Sequence, residues 1–301
     1  MSEPATRCGF VALLGAPNAG KSTLLNSLIG AKVAIVTPKV QTTRSRLRAI
    51  AIADQTQIVF VDTPGIFAPK RRLERAMVAS AWGEAAEADR LVLVVDAALR
   101  QPDRDTARIL DGLAEQGRRA TLVLNKVDKI KRARLLEQTQ RLSEAGDFDE
   151  VFMISALTGD GVQDLLESLV AAMPEGPWLY PEDQLLDISE RLFAAEVTRE
   201  KLFLRLHDEL PYALTVETES WETRKDGSVR IEQTVYLRRD SQKAIALGHG
   251  GRTIKAVREA AQEELAAHLG CPVHLFLFVK VRERWQDDPA RYRTWGLDFE
   301  A

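Results

Sequence analysis

The sequence contains little cysteine and no long hydrophobic run. Its 301 residues include two cysteines, Cys8 and Cys271, whose separation does not match the paired spacing of a metal-ligand set. Two cysteines in a chain of this size form no disulfide framework, so we expect both to be reduced thiols. No apolar run approaches the ~20 residues of a membrane span, and residues 1–4 lack the basic and apolar regions of a signal peptide. We therefore expect a cytoplasmic protein.

The composition is that of a soluble enzyme with two packed domains. Apolar residues make up 45% of the chain, and the formal net charge is −3. Prolines and a glycine interrupt every regular pattern between residues 174 and 181. We predict a first domain over residues 1–173, a linker over 174–182 and a second domain over 183–301.

A glycine-rich segment stands between the strand-like run 10–14 and a helical pattern. It reads Gly15-Ala16-Pro17-Asn18-Ala19-Gly20-Lys21-Ser22 and continues into Thr23. Backbone N–H groups in such a loop surround a polyphosphate, and the following helix directs its positive dipole end at the same ligand. Lys21 would reach the β- and γ-phosphate oxygens, and Ser22 would bind Mg²⁺. The segment predicts a phosphate-binding loop; a glycine-rich turn before an ordinary helix is the weaker alternative.

Three later segments, each following a strand-like run, predict that the nucleotide is GTP or GDP. In Asp62-Thr63-Pro64-Gly65, a carboxylate just past a strand can hold Mg²⁺ through water. In Asn125-Lys126-Val127-Asp128, the Asp128 carboxylate can accept from the N1–H and the amine of guanine, and adenine has neither donor. Asn125 and the stem of Lys126 would orient and cover the base. A backbone N–H of Ser155-Ala156-Leu157 would bond the guanine O6. The predicted nucleotide contacts in these segments are Asp62, Gly65, Asn125, Lys126, Asp128, Ser155, Ala156 and Leu157.

The first domain alternates strands and helices, which predicts an α/β fold with a mainly parallel sheet. The second domain begins with a helical pattern over 187–206 and continues as a β-hairpin, a Gly-x-x-Gly loop, a helix and a last strand. Gly-x-x-Gly on a small α/β scaffold is how KH modules clamp single-stranded RNA. A helix–turn–helix with glycine caps is the alternative interpretation.

The charge near this loop favours RNA. Acidic residues slightly outnumber basic ones over 183–301, but basic residues dominate between Arg238 and Arg258, and a second basic cluster ends the last strand. Such a local basic surface predicts a defined oligonucleotide groove. The candidate RNA-binding residues are Gly248, His249, Gly250, Gly251, Arg252, Lys255, Lys280 and Arg282.

These motifs together resemble the Era family of bacterial GTPases over almost all of residues 7–297. The resemblance rests on the segments above and on Gln41-Thr42-Thr43-Arg44, Arg199-Glu200-Lys201, Leu210-Pro211-Tyr212, Pro272-Val273-His274-Leu275 and Val279-Lys280-Val281. It implies a P-loop GTPase domain followed by a smaller α+β type II KH domain. It also implies recognition of the 3′ end of 16S rRNA, a role in maturation of the 30S ribosomal subunit, and weak association with the inner membrane. We expect a monomer.

The sequence departs from the family pattern in the KH loop. Family members carry a basic residue inside Gly-x-x-Gly, and here the two central positions are His249 and Gly250. We expect Arg252 to supply the phosphate contact instead.

The sequence also lacks a glutamine that takes part in catalysis in Ras-like enzymes. The glutamine that orients water in Ras-like enzymes would follow Gly65, and this chain has Ile66, so intrinsic hydrolysis should be slow. The resemblance places proteins with Asn at the Asn18 position among GTPases that use K⁺. The alternative is that Asn18 only caps its own loop. The predicted catalytic residues are Lys21, Asn18 and Thr43, and the predicted metal ligands are Ser22, Thr43 and Asp62, with Thr42 as the alternative to Thr43.

The sequence thus predicts a GTP-hydrolysing switch for ribosome assembly, with GTP or GDP, Mg²⁺ and K⁺ as cofactors. Residues 36–48 and 62–72 would form its two γ-phosphate-sensing segments. The alternative is an RNA-modification or membrane-trafficking GTPase whose second domain binds protein or lipid.

Overall fold

The computed structural model describes residues 6–39, 42–99 and 103–301, which form two compact units. The first unit contains the described residues up to Asp187 together with Ala290–Ala301, and the second contains Ile188–Pro289. The segment expected to be a linker, 174–182, therefore belongs to the first unit, as do the last twelve residues of the segment expected to form the second domain. Gln41 and residues 1–4, used in the sequence analysis, lie outside the described residues.

A six-stranded, mainly parallel sheet forms the centre of the first unit, as the sequence predicts. The strands follow the order β2-β3-β1-β4-β5-β6, and only β2 runs antiparallel to its neighbour. Their bounds are β1 Arg7–Leu14, β2 Leu47–Ala53, β3 Thr56–Asp62, β4 Arg90–Asp96, β5 Ala120–Asn125 and β6 Phe148–Met153. The central strands are continuous apolar runs because both faces are covered, and Leu91 to Val95 are all at most 2% exposed.

The helices of this unit lie in most of the connections between successive strands and after the last strand. They are α1 Lys21–Ile29, α2 Arg72–Glu87, α3 Arg104–Glu115, α4 Arg132–Ala145 and α5 Val162–Ala172. Leu14, Leu93 and Leu124 from three neighbouring strands pack in one buried cluster with Ala81 of α2 and Ile109 of α3. The carboxyl ends of β1, β3, β4 and β5 therefore lie along one edge of the sheet, where the predicted motifs begin.

The sequence analysis did not predict β2. Its run Leu-Arg-Ala-Ile-Ala-Ile-Ala is rich in alanine, which has low strand propensity, so tertiary pairing with β3 determines its structure. Residues 185–187, which follow the expected linker, cover the outer edge of β2. The N–H of Ile50 donates to the carbonyl of Leu185 at 2.9 Å, and the N–H of Asp187 donates to that of Arg48 at 3.0 Å. Covering this edge removes a row of unpaired backbone groups.

The linker is held by one buried glutamine of β3. Gln57 is 0% exposed, and its Oε1 accepts from the N–H groups of Leu179 and Tyr180 at 2.8 and 3.0 Å. Its Nε2 donates to the carbonyl of Tyr180 at 2.8 Å. The proline-rich composition therefore prevents regular structure here without leaving the segment detached from the sheet.

The C-terminal residues pack against the first unit through aromatic side chains. The N–H of Arg46 donates to the carbonyl of Trp295 at 3.1 Å, and the Arg72 guanidinium lies 4.4 Å from the centre of the Phe299 ring. Tyr292 is fully buried and meets Phe299 edge to face. These contacts explain why residues 290–301 belong to the first unit.

The second unit has the α-β-β-α-β order expected from the sequence, with one additional short helix before the Gly-x-x-Gly loop. Its sheet follows the order β7-β8-β9, with β7 antiparallel and β9 parallel to β8. The bounds are α6 Glu190–Arg205, β7 Leu214–Thr223, β8 Val229–Leu237, α7 Asp240–Leu247, α8 Arg252–Leu269 and β9 Val273–Val281, followed by α9 Pro289–Thr294 across the boundary. Among the described residues, no helix is both long enough and apolar enough to cross a bilayer.

Candidate nucleotide site and RNA-binding loop

The loop between β1 and α1 contains two glycines that no other residue could replace without displacing its neighbours. A Cβ on Gly15 would lie 2.5 Å from the carbonyl oxygen of Val94. A Cβ on Gly20, whose φ is +101°, would lie 2.2 Å from Nδ2 of Asn125. The glycines therefore let the loop approach β4 and the segment that follows β5.

Lys21 begins α1 and is 7% exposed. Its Nζ donates to the carbonyls of Gly15 and Ala16 at 3.0 and 3.2 Å. Burial lowers the pKa of Lys21 to about 8, although the nearby Asp62 carboxylate acts in the opposite direction. Two neutral carbonyls leave this buried ammonium short of negative charge, which a phosphate at the same place would supply.

Ser22, Thr43 and Asp62 meet beside the loop. The hydroxyls of Ser22 and Thr43 each donate to Oδ2 of Asp62 at 2.8 Å, and the two hydroxyl oxygens are 3.1 Å apart. Oδ1 of Asp62 is buried and accepts no hydrogen bond from the described residues. Burial raises the pKa of Asp62, although Lys21 and both hydroxyls lower it. Three hard oxygens with one unsatisfied carboxylate oxygen suit Mg²⁺.

The neighbouring Thr42 lies elsewhere. Its hydroxyl is 2.9 Å from that of Thr37 and donates to the carbonyl of Lys39 at 2.9 Å. Of the two threonines considered from the sequence, Thr43 is therefore the one whose hydroxyl joins Ser22 and Asp62.

Asn125 connects three segments of the site. Its side chain is 2% exposed; Nδ2 donates to the carbonyl of Ala19 at 3.0 Å. Oδ1 accepts from the N–H groups of Lys126 and Ala156 at 2.8 and 3.0 Å. Asn125 thus holds the glycine-rich loop and the Ser155-Ala156-Leu157 segment beside its own segment. This structural role is additional to the base-orienting role expected from the sequence.

The residues expected to read guanine lie close together. Oδ1 of Asp128 accepts from the Ser155 hydroxyl at 2.7 Å, while the rest of the exposed carboxylate is open to a ligand. The N–H of Ser155 donates to the carbonyl of Asp160 at 2.9 Å, and that of Ala156 donates to Asn125. Within this segment, the N–H of Leu157 is the one that no described residue accepts, which makes it the best-placed donor for guanine O6.

Sequence reasoning missed Asp96. This residue ends β4, and its Oδ2 accepts from Nζ of Lys126 at 2.6 Å. The same Nζ donates to the carbonyl of Asn18 at 2.7 Å, so the Lys126 stem extends from the base-reading segment to the phosphate loop. Its position at the carboxyl end of the strand beside β5 was the available signal.

Two cavities lie between these segments. One has a volume of about 420 Å³ and is lined by the glycine-rich loop and by residues of the segments 36–48 and 62–72, among them Pro17, Asn18, Lys21, Ser22, Thr43 and Gly65. The other has a volume of about 170 Å³ and is lined by Asn125, Asp128, Ala156 and Leu157. Gly20, Thr23, Lys126 and Lys129 line both, so the pair can hold a phosphorylated ribose and a base as one ligand. Ile66, at the position of the missing glutamine, is 0% exposed and contributes to the core.

The Gly-x-x-Gly loop joins α7 to α8 in the second unit. A Cβ on Gly248 would lie 2.2 Å from the Thr253 hydroxyl, whereas one on Gly250 or Gly251 would meet nothing within 4 Å. Gly250 and Gly251 therefore leave open space beside the backbone. The Arg252 guanidinium donates to the His249 carbonyl at 3.2 Å and lies 3.0 Å from its Nδ1, which holds the cation at the loop. Its contact with an RNA phosphate stays a prediction.

The other predicted RNA contacts lie on neighbouring elements. Lys255 is on the first turn of α8 and its side chain is 70% exposed. Lys280 is exposed near the end of β9, and Arg282 follows the strand and pairs with Asp288 at 3.1 Å. The loop residues and Lys255 are thus contiguous, while Lys280 and Arg282 form a second cluster on the edge strand.

The fold and site define a P-loop GTPase that carries a KH domain. A family model described as 50S ribosome-binding GTPase matches residues 10–126, and a KH domain model matches residues 209–286. The chain is 60% identical over 294 residues to the GTPase Era of Sinorhizobium medicae (strain WSM419), covering 98% of this chain and 94% of that protein. It is 59% identical over 297 residues to the GTPase Era of Dinoroseobacter shibae (strain DSM 16493), covering 98% and 96%. The chain belongs to the Era family of GTPases.

Two solved Era structures have the same fold. A variant of Aquifex aeolicus Era bound to GDP and AlF₄⁻ matches with a TM-score of 0.91 and 34% identity, covering 97% of this chain and 99% of that one. An Era complex with MgGDPNP and nucleotides 1506–1542 of 16S ribosomal RNA matches with the same score, identity and coverage. The comparisons confirm the GTPase activity and both domain types expected from the sequence.

We predict that Lys21→Ala weakens GTP binding by at least about a hundredfold, because charge-assisted hydrogen bonds to phosphate worth ~3 kcal/mol are lost. Titration calorimetry with GTP measures the affinity. Lys225→Ala, in the exposed turn between β7 and β8, is the matched control and should bind as the parent does. Unchanged affinity in the Lys21 variant would remove the loop from the phosphate site.

We predict that Asp128→Asn exchanges the preference for guanine for a preference for xanthine. An amide repels the guanine donors but donates to the xanthine oxygen that replaces the guanine amine, and each unsatisfied group costs about 1–3 kcal/mol. Hydrolysis of GTP and xanthosine triphosphate is compared for variant and parent. A variant that hydrolyses GTP normally and ignores xanthosine triphosphate would contradict the assignment.

Proposed function

We propose that this GTPase is a nucleotide-controlled switch that binds the 3′ end of 16S rRNA through its KH domain and assists maturation and assembly of the 30S subunit. The observation that carries the proposal is that one chain holds both a guanine-nucleotide site and a Gly-x-x-Gly loop with open space at its centre. The Era complex with 16S rRNA nucleotides supports the same partner. The proposal includes a cytoplasmic monomer with weak inner-membrane association, as the family resemblance implies.

The residue roles follow from the geometry of the site. Lys21 would bind the β- and γ-phosphate oxygens, and the dipole of α1 would add to its charge. Ser22, Thr43 and Asp62 would hold Mg²⁺, whose chemistry is to neutralise charge on the phosphate oxygens. Binding of the nucleotide thus supplies partners to the buried Lys21 ammonium and to the orphaned Asp62 oxygen.

The switching role depends on Thr43 and Gly65. Thr43 lies within the segment 36–48, and Gly65 lies within 62–72; both residues line the larger cavity. A γ-phosphate there would order both segments, and its loss on hydrolysis would release them. This change would control how the KH domain meets RNA.

The role of Asn18 in catalysis is supported by its conformation. Its φ is +63°, its side chain is exposed, and that side chain forms no hydrogen bond with the described residues. The structure therefore offers no support for a loop cap, and the amide is available to a cation beside the phosphates. This chain has Ile66 where Ras-like enzymes have a glutamine, so the transition state lacks that residue's help. K⁺ held beside Asn18 would stabilise the charge of the transition state instead.

We predict that the parent hydrolyses GTP roughly tenfold or more faster in K⁺ than in Na⁺, since preorganised electrostatics is a large catalytic term. Turnover is measured in both salts at equal ionic strength for the parent, Asn18→Ala and Asn18→Gly. Both variants should lose the preference. Glycine adopts positive φ without strain, so a preference retained in Asn18→Gly alone would indicate a backbone role, and no preference in the parent would exclude K⁺.

We predict that Gly250→Asp weakens binding of single-stranded RNA at least about tenfold while GTP hydrolysis is unchanged, because a carboxylate enters the space expected for a phosphate. Gly250→Asn is the matched control, since Asn and Asp tolerate the φ of +62° similarly and differ in charge. Affinity is measured by anisotropy at several salt concentrations. Equal binding by Gly250→Asp and the parent would instead favour a protein- or lipid-binding domain.

A further inference from the structure

The last twelve residues lie against both of the segments expected to sense the γ-phosphate, which are residues 36–48 and 62–72. We call residues 290–301 the C-terminal strap. The carbonyl of Trp295 accepts from the N–H of Arg46 at 3.1 Å, which bonds the strap to the first of these segments. Trp295 is only 6% exposed, so this contact lies in a packed region.

The second contact of the strap is a cation–π pair. The Arg72 guanidinium, at the end of the segment 62–72, lies 4.4 Å from the centre of the Phe299 ring. The Phe299 ring also meets the ring of Tyr292 edge to face, with 4.9 Å between the ring centres, and Tyr292 is fully buried. Tyr292 thus holds the Phe299 ring where Arg72 can lie over it.

The helix α2, which begins at Arg72, is also tied to Arg46. Its residue Glu84 is 9% exposed and pairs with Nε of Arg46 at 2.7 Å. Gly296 of the strap lies against the same arginine, because a Cβ added to this glycine would be 3.5 Å from Cβ of Arg46. Arg46 therefore contacts the strap and α2 at once, and the three elements form one connected group of contacts.

Arg46 follows Thr43 by three residues, and the chain between them is packed. Arg44 and Ser45 are 1% and 3% exposed. Three residues of chain span at most ~10 Å, so a fixed Arg46 limits how far Thr43 can move. With the strap bonded to Arg46, the Thr43 hydroxyl lies 2.8 Å from Oδ2 of Asp62, in the arrangement proposed to hold Mg²⁺. The bound strap therefore accompanies the arrangement that the proposed GTP state requires.

We propose that the C-terminal strap positions both γ-phosphate-sensing segments and thereby raises the affinity for GTP relative to that for GDP. A contact made in only one of two conformations shifts the equilibrium toward that conformation, and linkage makes the effect reciprocal. GTP should therefore also tighten the strap on Arg46 and Arg72. The inference rests on the switch function proposed above, and it assigns Trp295 and Phe299 as positioning residues.

The test measures the affinities of the full-length protein for GDP and for a non-hydrolysable GTP analogue. Phe299→Leu keeps an apolar side chain on the strap but removes the ring face that Arg72 contacts. We expect its affinity for the analogue to fall about two- to fivefold, as for a cation–π pair at the surface, while its affinity for GDP stays that of the parent. Phe299→Tyr keeps the ring face and should retain the parent's ratio of affinities. An unchanged ratio in Phe299→Leu would overturn the proposal.

A double-mutant cycle checks that the effect passes through Arg72. Arg72→Ala should cause the same loss as Phe299→Leu, and the double variant should lose no more, because both changes remove one contact. Arg75→Ala is the matched control, since Arg75 is an exposed arginine on the same helix, and this variant should bind both nucleotides as the parent does. Losses that add in the double variant, or equal losses for GDP and the analogue, would overturn the proposal.

Hydrogen exchange in the parent gives a second measurement that needs no variant. The N–H of Leu297 donates to the carbonyl of Tyr292 at 2.8 Å within the strap, so its exchange reports how often the strap opens. We expect this exchange to be at least about twofold slower with the analogue than with GDP. Equal rates with the two nucleotides would overturn the proposal.

Thr43→Ala separates this inference from the proposed switch function. Loss of the hydroxyl expected to bind Mg²⁺ should weaken binding of the analogue and leave that of GDP unchanged. If Thr43→Ala does so and Phe299→Leu does not, the switch function stands and the strap proposal is overturned. If Thr43→Ala binds both nucleotides as the parent does, the proposed switch function fails and the strap proposal fails with it. The thermal midpoint of unfolding shows that each variant is folded.

Discussion

The nucleotide site depends on the buried amide of Asn125. The phosphate loop, the base-reading segment and the Ser155-Ala156-Leu157 segment follow three different strands, and each donates to or accepts from this one side chain. Both the nitrogen and the oxygen of this amide have hydrogen-bond partners. A buried polar group that loses its partner destabilises the folded state by about 1–3 kcal/mol. Asn125 therefore fixes the distance between the smaller and the larger cavity, as a guanine nucleotide that occupied both would require.

Two buried groups of opposite charge lie at the site proposed for the phosphates and the metal ion. Lys21 and Asp62 are both buried, and burial shifts each pKa toward its neutral form, lowering that of Lys21 to about 8 and raising that of Asp62. Their mutual attraction offsets part of this cost but does not satisfy Oδ1 of Asp62. A phosphate beside Lys21 and a divalent cation beside Asp62 would offset these desolvation costs, so the free energy of binding the proposed ligand would include the relief of both groups.

The sequence predicts this candidate site because the expected chemistry requires particular residues at fixed spacing. Gly15, Lys21 and Asp128 would serve backbone approach, charge and base reading, and these requirements are visible without a structure. Asp96 could not be identified in the same way, because its importance comes from a contact with Lys126 thirty residues later in the chain. The strand β2 was likewise missed, since alanine-rich residues become a strand only through pairing with β3.

Long-range packing also explains why the last twelve residues belong to the first unit, although the sequence analysis expected them in the second domain. The chain enters the second unit after Asp187, whose N–H donates to the carbonyl of Arg48. It returns to the first unit at Ala290, and the carbonyl of Trp295 accepts from the N–H of Arg46. Arg46 and Arg48 follow Thr43 by three and five residues. A movement of the Thr43 segment large enough to displace residues 46–48 must therefore carry or break both of these backbone hydrogen bonds. Thr43, which we expect to bind Mg²⁺, thus lies only a few residues before the two positions that bond Trp295 and Asp187.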